Sequence, residues 1–208
     1  MDIKNKSQFI EYFFKGIKSP HQLKIGVEHE RFLFEGQNKK RISYKTLKIL
    51  FENLKSNGWQ PLFEKECIVG MKRDNQQITT EPGFQCELSG APLKNIHQVC
   101  SESSKFLKEI EYASKGLDIN TVSIGFDPFN NLADIPRSPK TRYKIMTKEM
   151  PKGGKESLEM MYRTCGIQIN YDYISESNFE KIFRLGNYLT PLTIALYSNS
   201  PFESGKPT

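Results

Sequence analysis

The chain has 208 residues, enough to bury a core as one large domain or two small ones. A hydrophobic fraction of 37% with 14 Phe and 9 Tyr excludes a disordered chain. The net charge is +6 with a pI near 9.0, but the lysines are scattered with no block of like charge, so the surface suits small anionic ligands better than nucleic acid.

The periodicity predicts a helix over 7–17, with Phe9, Ile10, Phe13, Phe14 and Ile17 on one face. A strand follows over 23–34. Ser43 caps a helix over 43–56 that Gly58 stops. Strands are expected at 59–63, 67–72 and 76–80, with a turn at Arg73–Asn75, and another at 84–89. A long helix is expected from Ala91-Pro92 to Ser114, then a strand over 118–126 and a Pro-rich loop over 130–140. Short helices at 142–150 and 156–162 precede an alternating strand over 164–173. Its apolar face carries Cys165, expected as a core thiol. The last helix spans 179–197, bent at Pro191. Strands and helices interleave irregularly around a hairpin-rich centre. The class is therefore α+β with a largely antiparallel sheet, read as a single domain over 1–208.

Four cysteines, at 67, 86, 100 and 165, form no CxxC pair and are expected as free thiols. With no apolar leader and no membrane-length run, the expected location is cytoplasmic, without membrane or nucleic-acid partners.

Two acidic segments carry the chemistry. In Gly26-Val27-Glu28-His29-Glu30 a strand sends both glutamates to one face. In the stretch from Glu81 to Pro92, Gln85, Glu87 and Ser89 share a face, while Pro82-Gly83 interrupts the pleat after Glu81. Clustered carboxylates suit a hard cation, Mg²⁺ or Mn²⁺. The plain alternative for each segment is a solvated edge strand. Gln168, Asn170 and Asp172 form a polar face of the 164–173 strand. Arg142, Lys144, Lys152 and Arg163 gather around a glycine-containing loop, where they suit phosphate or carboxylate groups.

The stretches GVEHERF (26–32), ITTEPGFQCELSGAPL (78–93), GFDPF (125–129), TRYKIM (141–146), MPKGG (150–154), MMYRTCGIQINYDY (160–173) and NSPFESGKP (199–207) together resemble the glutamate–cysteine ligases of the plant and proteobacterial type. The resemblance implies a curved antiparallel sheet like the glutamine synthetase catalytic domain. It implies ATP-dependent joining of the glutamate γ-carboxylate to the cysteine amine through γ-glutamyl phosphate. It makes Glu28, Glu30, Glu81 and Glu87 the candidate ligands of Mg²⁺ or Mn²⁺. Gln168 and Asn170 would line the same funnel as cofactor-binding residues, and Arg163 would be the catalytic candidate, contacting an anion. Thr80, Phe84 and Cys86 depart from the family's usual residues, Phe84 standing where a glycine is more common. Family catalytic domains are about twice as long, so the chain is expected to be an N-terminal part, completed by a further half or by self-association. Two other readings stand beside this one. The first is a non-catalytic remnant or basic binding module, and the second is a ligase with an acceptor other than cysteine.

Overall fold

Eleven consecutive residues, Ile25–Glu35, form strand β1 in the computed structural model, which describes residues 3–208. Val27 and Leu33 are buried on one face of β1, and Phe32 and Phe34 on the other. A strand covered on both faces reads as a nearly continuous apolar run, which the end of β1 does.

β1 is the hub of an eight-stranded sheet. Its residues 28–31 pair with β6 (Cys86–Ser89). On the opposite side residues 25–29 pair with the penultimate long element of the chain, the strand Ile167–Tyr171. The end of β1 is flanked by β2 (Lys40–Arg41) and β7 (Ile119–Val122). Beyond β6 the order continues through β5 (Gln76–Thr80), β4 (Cys67–Arg73) and β3 (Gln60–Glu64). Every one of these pairings is antiparallel, so the α+β reading holds. The strand Ile167–Tyr171 is β8. The β4–β5 hairpin turns at Asp74-Asn75, with Asp74 at φ 50°, a conformation that Asp tolerates better than most residues.

Helices α2 (Tyr44–Leu54) and α3 (Ile96–Ala113) cover one face of the sheet. Leu47, Leu50, Phe51 and Leu54 recur at helical spacing on α2 and are fully buried. They meet Leu33, Met71, Ile78, Cys86 and Leu88 in one core. Ser43 caps α2 by accepting from the Thr46 amide at 3.2 Å. Gly58 follows at φ 83°, where a glycine is favoured.

α3 begins at Ile96, not at Ala91-Pro92 as expected. Asn95 caps it, accepting from the Gln98 amide at 3.0 Å. Leu93 instead exchanges two backbone hydrogen bonds with Ile25. The backbone before Asn95 is thus committed to the sheet.

On the other side, α4 (Thr141–Glu149) and α5 (Ser157–Arg163) build a small second core of Ile135, Tyr143, Met161 and Tyr162. α1 (Lys6–Phe14) is shorter than expected. α6 (Glu176–Tyr197) starts earlier than expected, because Ser175 accepts from the Asn178 amide at 3.1 Å. The helix runs through Pro191. A short hairpin, β9 (Phe202–Glu203) with β10 (Lys206–Pro207), follows.

The apolar face of β8 is not core. Ile167, Ile169 and Tyr171 are exposed, as are Phe183, Tyr188, Ile194 and Tyr197 on α6. Cys165, just before β8, is half-buried rather than a fully enclosed core thiol. No helix among the described residues is long and apolar enough to cross a membrane.

Leu50→Ala is expected to lower the unfolding free energy by about 2–5 kcal/mol, because it empties a closed site. Ile49→Ala on the exposed side of α2 should change it by under about 0.5 kcal/mol. Urea unfolding of the two variants checks the contrast.

Candidate metal centre

The register of the sheet sets two carboxylates side by side. Glu30 lies directly opposite Glu87 across β1 and β6, and opposed residues of an antiparallel pair share a face. The face is the one turned away from α2 and α3, since Cys86 and Leu88 take the core side.

Glu81 arrives by a different route. The Phe84 amide donates to the Glu81 carbonyl at 2.9 Å, closing a turn with Pro82 in its second position. Phe84 takes φ 58° there, strained for a bulky residue. Its ring is buried and stacks on Tyr44 with centroids 5.8 Å apart, a contact a glycine cannot make. The turn brings Glu81 back to the sheet. One oxygen each of Glu30, Glu81 and Glu87 lies within 4.8 Å of the others.

Three carboxylates this close repel. Burial, reinforced by the charges of Glu81, Glu87 and Glu28, raises the Glu30 pKa from 4.5 to about 7, against the opposing hydrogen bond from the Gly166 amide at 2.7 Å. Burial and Glu87 also raise Glu81, while the Tyr143 hydroxyl, donating to Glu81 at 2.9 Å, opposes the shift. Glu87 accepts from Ser89 Oγ at 2.6 Å and Thr79 Oγ1 at 3.2 Å. No ion pair among the described residues involves these three carboxylates. Two cations stand at the rim. Lys140 Nζ donates to the Thr80 carbonyl at 2.8 Å, and Arg142 donates to the Tyr143 hydroxyl at 3.0 Å. The arrangement is an oxygen-only set with surplus negative charge, which fits a hard divalent cation.

The other expected site residues fall elsewhere. Glu28 is opposite Ser89 and Gln168, on the same face, but it is not one of the three converging carboxylates. Its Oε1 accepts from Asn170 Nδ2 at 2.9 Å. Gln168 and Asn170 are exposed on that face, since their register partners are Glu28 and Gly26. Arg163 closes α5, inside the fold. Its guanidinium is buried against Phe126 and donates to Glu159 at 2.8 Å and the Asp127 carbonyl at 3.1 Å. Its Nε has no partner among the described residues, so these contacts leave part of the fork's donor capacity unused. Lys152 pairs with Glu149 on the surface.

Sequence reasoning missed Lys140, Tyr143 and the buried pair of Arg41 with Asp127, 3.1 Å apart. Tyr143 and Arg142 lie in TRYKIM, a stretch that marked the segment without marking the tyrosine. Nothing in the spacing of Arg41 and Asp127, 86 residues apart, links them.

The folded state holds the Glu30 proton up to about pH 7, whereas the unfolded chain releases it near 4.5. The folded state therefore binds more protons inside that window, and stability falls as pH rises through it. Urea midpoints measured with chelator present should decline across the window. Glu30→Gln, which cannot ionise, should flatten the decline.

The family described as Glutamate-cysteine ligase family 2 (GCS2) matches residues 24–208. The chain is 40% identical over 203 residues to a protein of Medicago truncatula named glutamate–cysteine ligase, chloroplastic, covering 97% of this chain and 40% of that one. It is 39% identical to glutamate–cysteine ligase A, chloroplastic, of Oryza sativa subsp. japonica, covering 41% of it. It is 39% identical to the Arabidopsis thaliana protein of the Medicago name, covering 39% of it. The chain thus spans about two fifths of the length of these relatives. The names place those relatives in the chloroplast, which overturns the cytoplasmic location expected above. With the match running over nearly its whole length, the chain belongs to glutamate–cysteine ligase family 2.

Proposed function

We propose that this chain supplies part of the site at which ATP drives joining of the glutamate γ-carboxylate to the cysteine amine, giving γ-glutamylcysteine. The observation that carries the reading is the convergence of Glu30, Glu81 and Glu87 on one face of the sheet, in a chain of this family. Those three residues would hold Mg²⁺ or Mn²⁺. A bound cation supplies charge neutralisation at the nucleotide phosphates as phosphoryl transfer proceeds.

The chain's own groups divide the remaining work. The Gly166 amide fixes one Glu30 oxygen, and Ser89 and Thr79 fix Glu87, so both carboxylates are oriented before any ligand arrives. Tyr143 does the same for Glu81. Lys140 and Arg142 place positive charge beside the carboxylates, where an anionic phosphate or acyl phosphate would meet it. Gln168 and Asn170 offer exposed amides on the same face for a polar substrate group. A non-catalytic remnant is the less favoured reading, since it leaves three crowded carboxylates without a purpose.

The full-length protein given ATP, glutamate and cysteine should form γ-glutamylcysteine, followed by chromatography of the thiol product. Glu30→Gln and Glu87→Gln should each weaken Mg²⁺ affinity, measured by calorimetry, by about tenfold or more and lower turnover with it. Unchanged affinity and turnover in both variants would remove the metal assignment.

A further inference from the structure

We infer that Arg41 is a positioning residue for the carboxylate centre, tying the Glu81 turn to the segment that orients Glu30. The inference rests on the cation reading above and adds to it a residue outside the ligand set.

Arg41 lies on β2, and its guanidinium is fully enclosed, as is the Asp127 carboxylate it meets. Three acceptors in three different segments share its donors. Nη2 donates to the Gly83 carbonyl at 2.6 Å, inside the turn that presents Glu81. Nη1 donates to Asp127 Oδ2 at 3.1 Å and to the Tyr162 carbonyl at 3.3 Å, at the end of α5. The plane also packs on the Phe32 ring, 4.4 Å from its centroid. Four residues beyond Tyr162 stands Gly166, whose amide holds Glu30 Oε2 at 2.7 Å. One side chain therefore touches both the turn bearing Glu81 and the backbone leading to the Glu30 contact.

Gln85 braces the same joint. It accepts from the Gly83 amide at 2.8 Å and donates to the Met161 and Thr164 carbonyls at 3.3 and 2.9 Å. With Gly83 held at both its amide and its carbonyl, the turn has little freedom to slide. Asp127 is in turn fixed by the Phe129 and Asn130 amides at 2.9 and 3.1 Å. The pair is thus anchored to the β7–α4 connection and does not float in the core.

The task requires arginine. A planar fork reaches acceptors in several directions at once, whereas an ammonium is a point charge on a flexible stem. Lysine at position 41 keeps the charge opposite Asp127 but cannot also span Gly83 and Tyr162. Mutual repulsion of Glu30, Glu81 and Glu87 gives the loosened turn a direction in which to move, away from the sheet. Gly83 provides an independent way to move the same turn. A Cβ there would lie 2.8 Å from the Tyr162 carbonyl and 2.9 Å from Ile135 Cγ2.

The test is Mn²⁺ titration of the full-length protein, reading free Mn²⁺ by electron paramagnetic resonance, for wild type, Arg41→Lys, Gly83→Ala and Leu50→Ala. Leu50 sits in the core on the opposite face of the sheet and serves as the stability control. Arg41→Lys and Gly83→Ala should keep native circular dichroism and weaken Mn²⁺ binding by about tenfold or more, the scale of losing an outer support. Leu50→Ala should lose stability while Mn²⁺ affinity stays within about twofold, as distant sites behave independently. Folded Arg41→Lys and Gly83→Ala chains that bind Mn²⁺ like wild type overturn the inference and leave the cation reading standing. Loss of affinity in Leu50→Ala in step with its stability overturns it too, reducing Arg41 to a fold contact. A wild-type chain that binds no Mn²⁺ overturns the cation reading and the inference together. If Arg41→Lys does not fold, the Gly83→Ala result decides.

Discussion

Repulsion among Glu30, Glu81 and Glu87 is the constraint around which this face of the protein is arranged. Like charges directly opposed on neighbouring strands destabilise a sheet, and Glu30 and Glu87 are so opposed. The surrounding groups oppose that cost piecemeal. The Gly166 amide, the Tyr143 phenol and the Ser89 and Thr79 hydroxyls each donate to one carboxylate. None of these donors brings a full positive charge into contact. Burial first, and the charges of Glu81, Glu87 and Glu28 after it, hold the Glu30 pKa near 7. A cation is the simplest complement to that residue of charge.

Holding the carboxylates in place against their repulsion needs rigidity from outside the cluster. The opposite face provides part of it, through the largely apolar packing of α2 and α3 on the sheet. The rest comes from polar joints on the site face. Arg41, Asp127 and Gln85 bind three chain segments that are remote in sequence, at 83, at 127 and at 161–164. Buried ion pairs contribute little to net stability against an apolar alternative. Their value here is directional: they fix where backbone carbonyls sit. Phe84 follows the same logic, accepting a left-handed backbone to complete the turn while its ring packs on Tyr44.

The same structure presents faces of another character. β8 and α6 expose Ile167, Ile169, Tyr171, Phe183 and Tyr188. β8 is nonetheless a full partner of β1 over five residues, and carries Gln168 and Asn170 on the side of the carboxylates. Its polar side is thus aligned with the site by backbone pairing alone, independent of what covers its apolar side.

Local chemistry was enough to place most elements. Ser43 and Gly58 bound α2, the spacing of Leu47, Leu50, Phe51 and Leu54 sets its buried face, and Asp74-Asn75 sets the β4–β5 turn. Alternation alone put Glu28 with Glu30, and Gln168 with Asn170, on common faces, because the pleat has a period of two. What the sequence did not determine was which carboxylates converge. Register chose Glu87 as the partner of Glu30, and the turn at 81–84 delivered Glu81, while Glu28 was left to Asn170. Nor did it reveal that Arg163 meets Glu159 and the Asp127 carbonyl, or that Arg41 meets Asp127. Periodicity records only neighbours a few residues apart. Contacts across dozens of residues exist only once the sheet has brought their segments together.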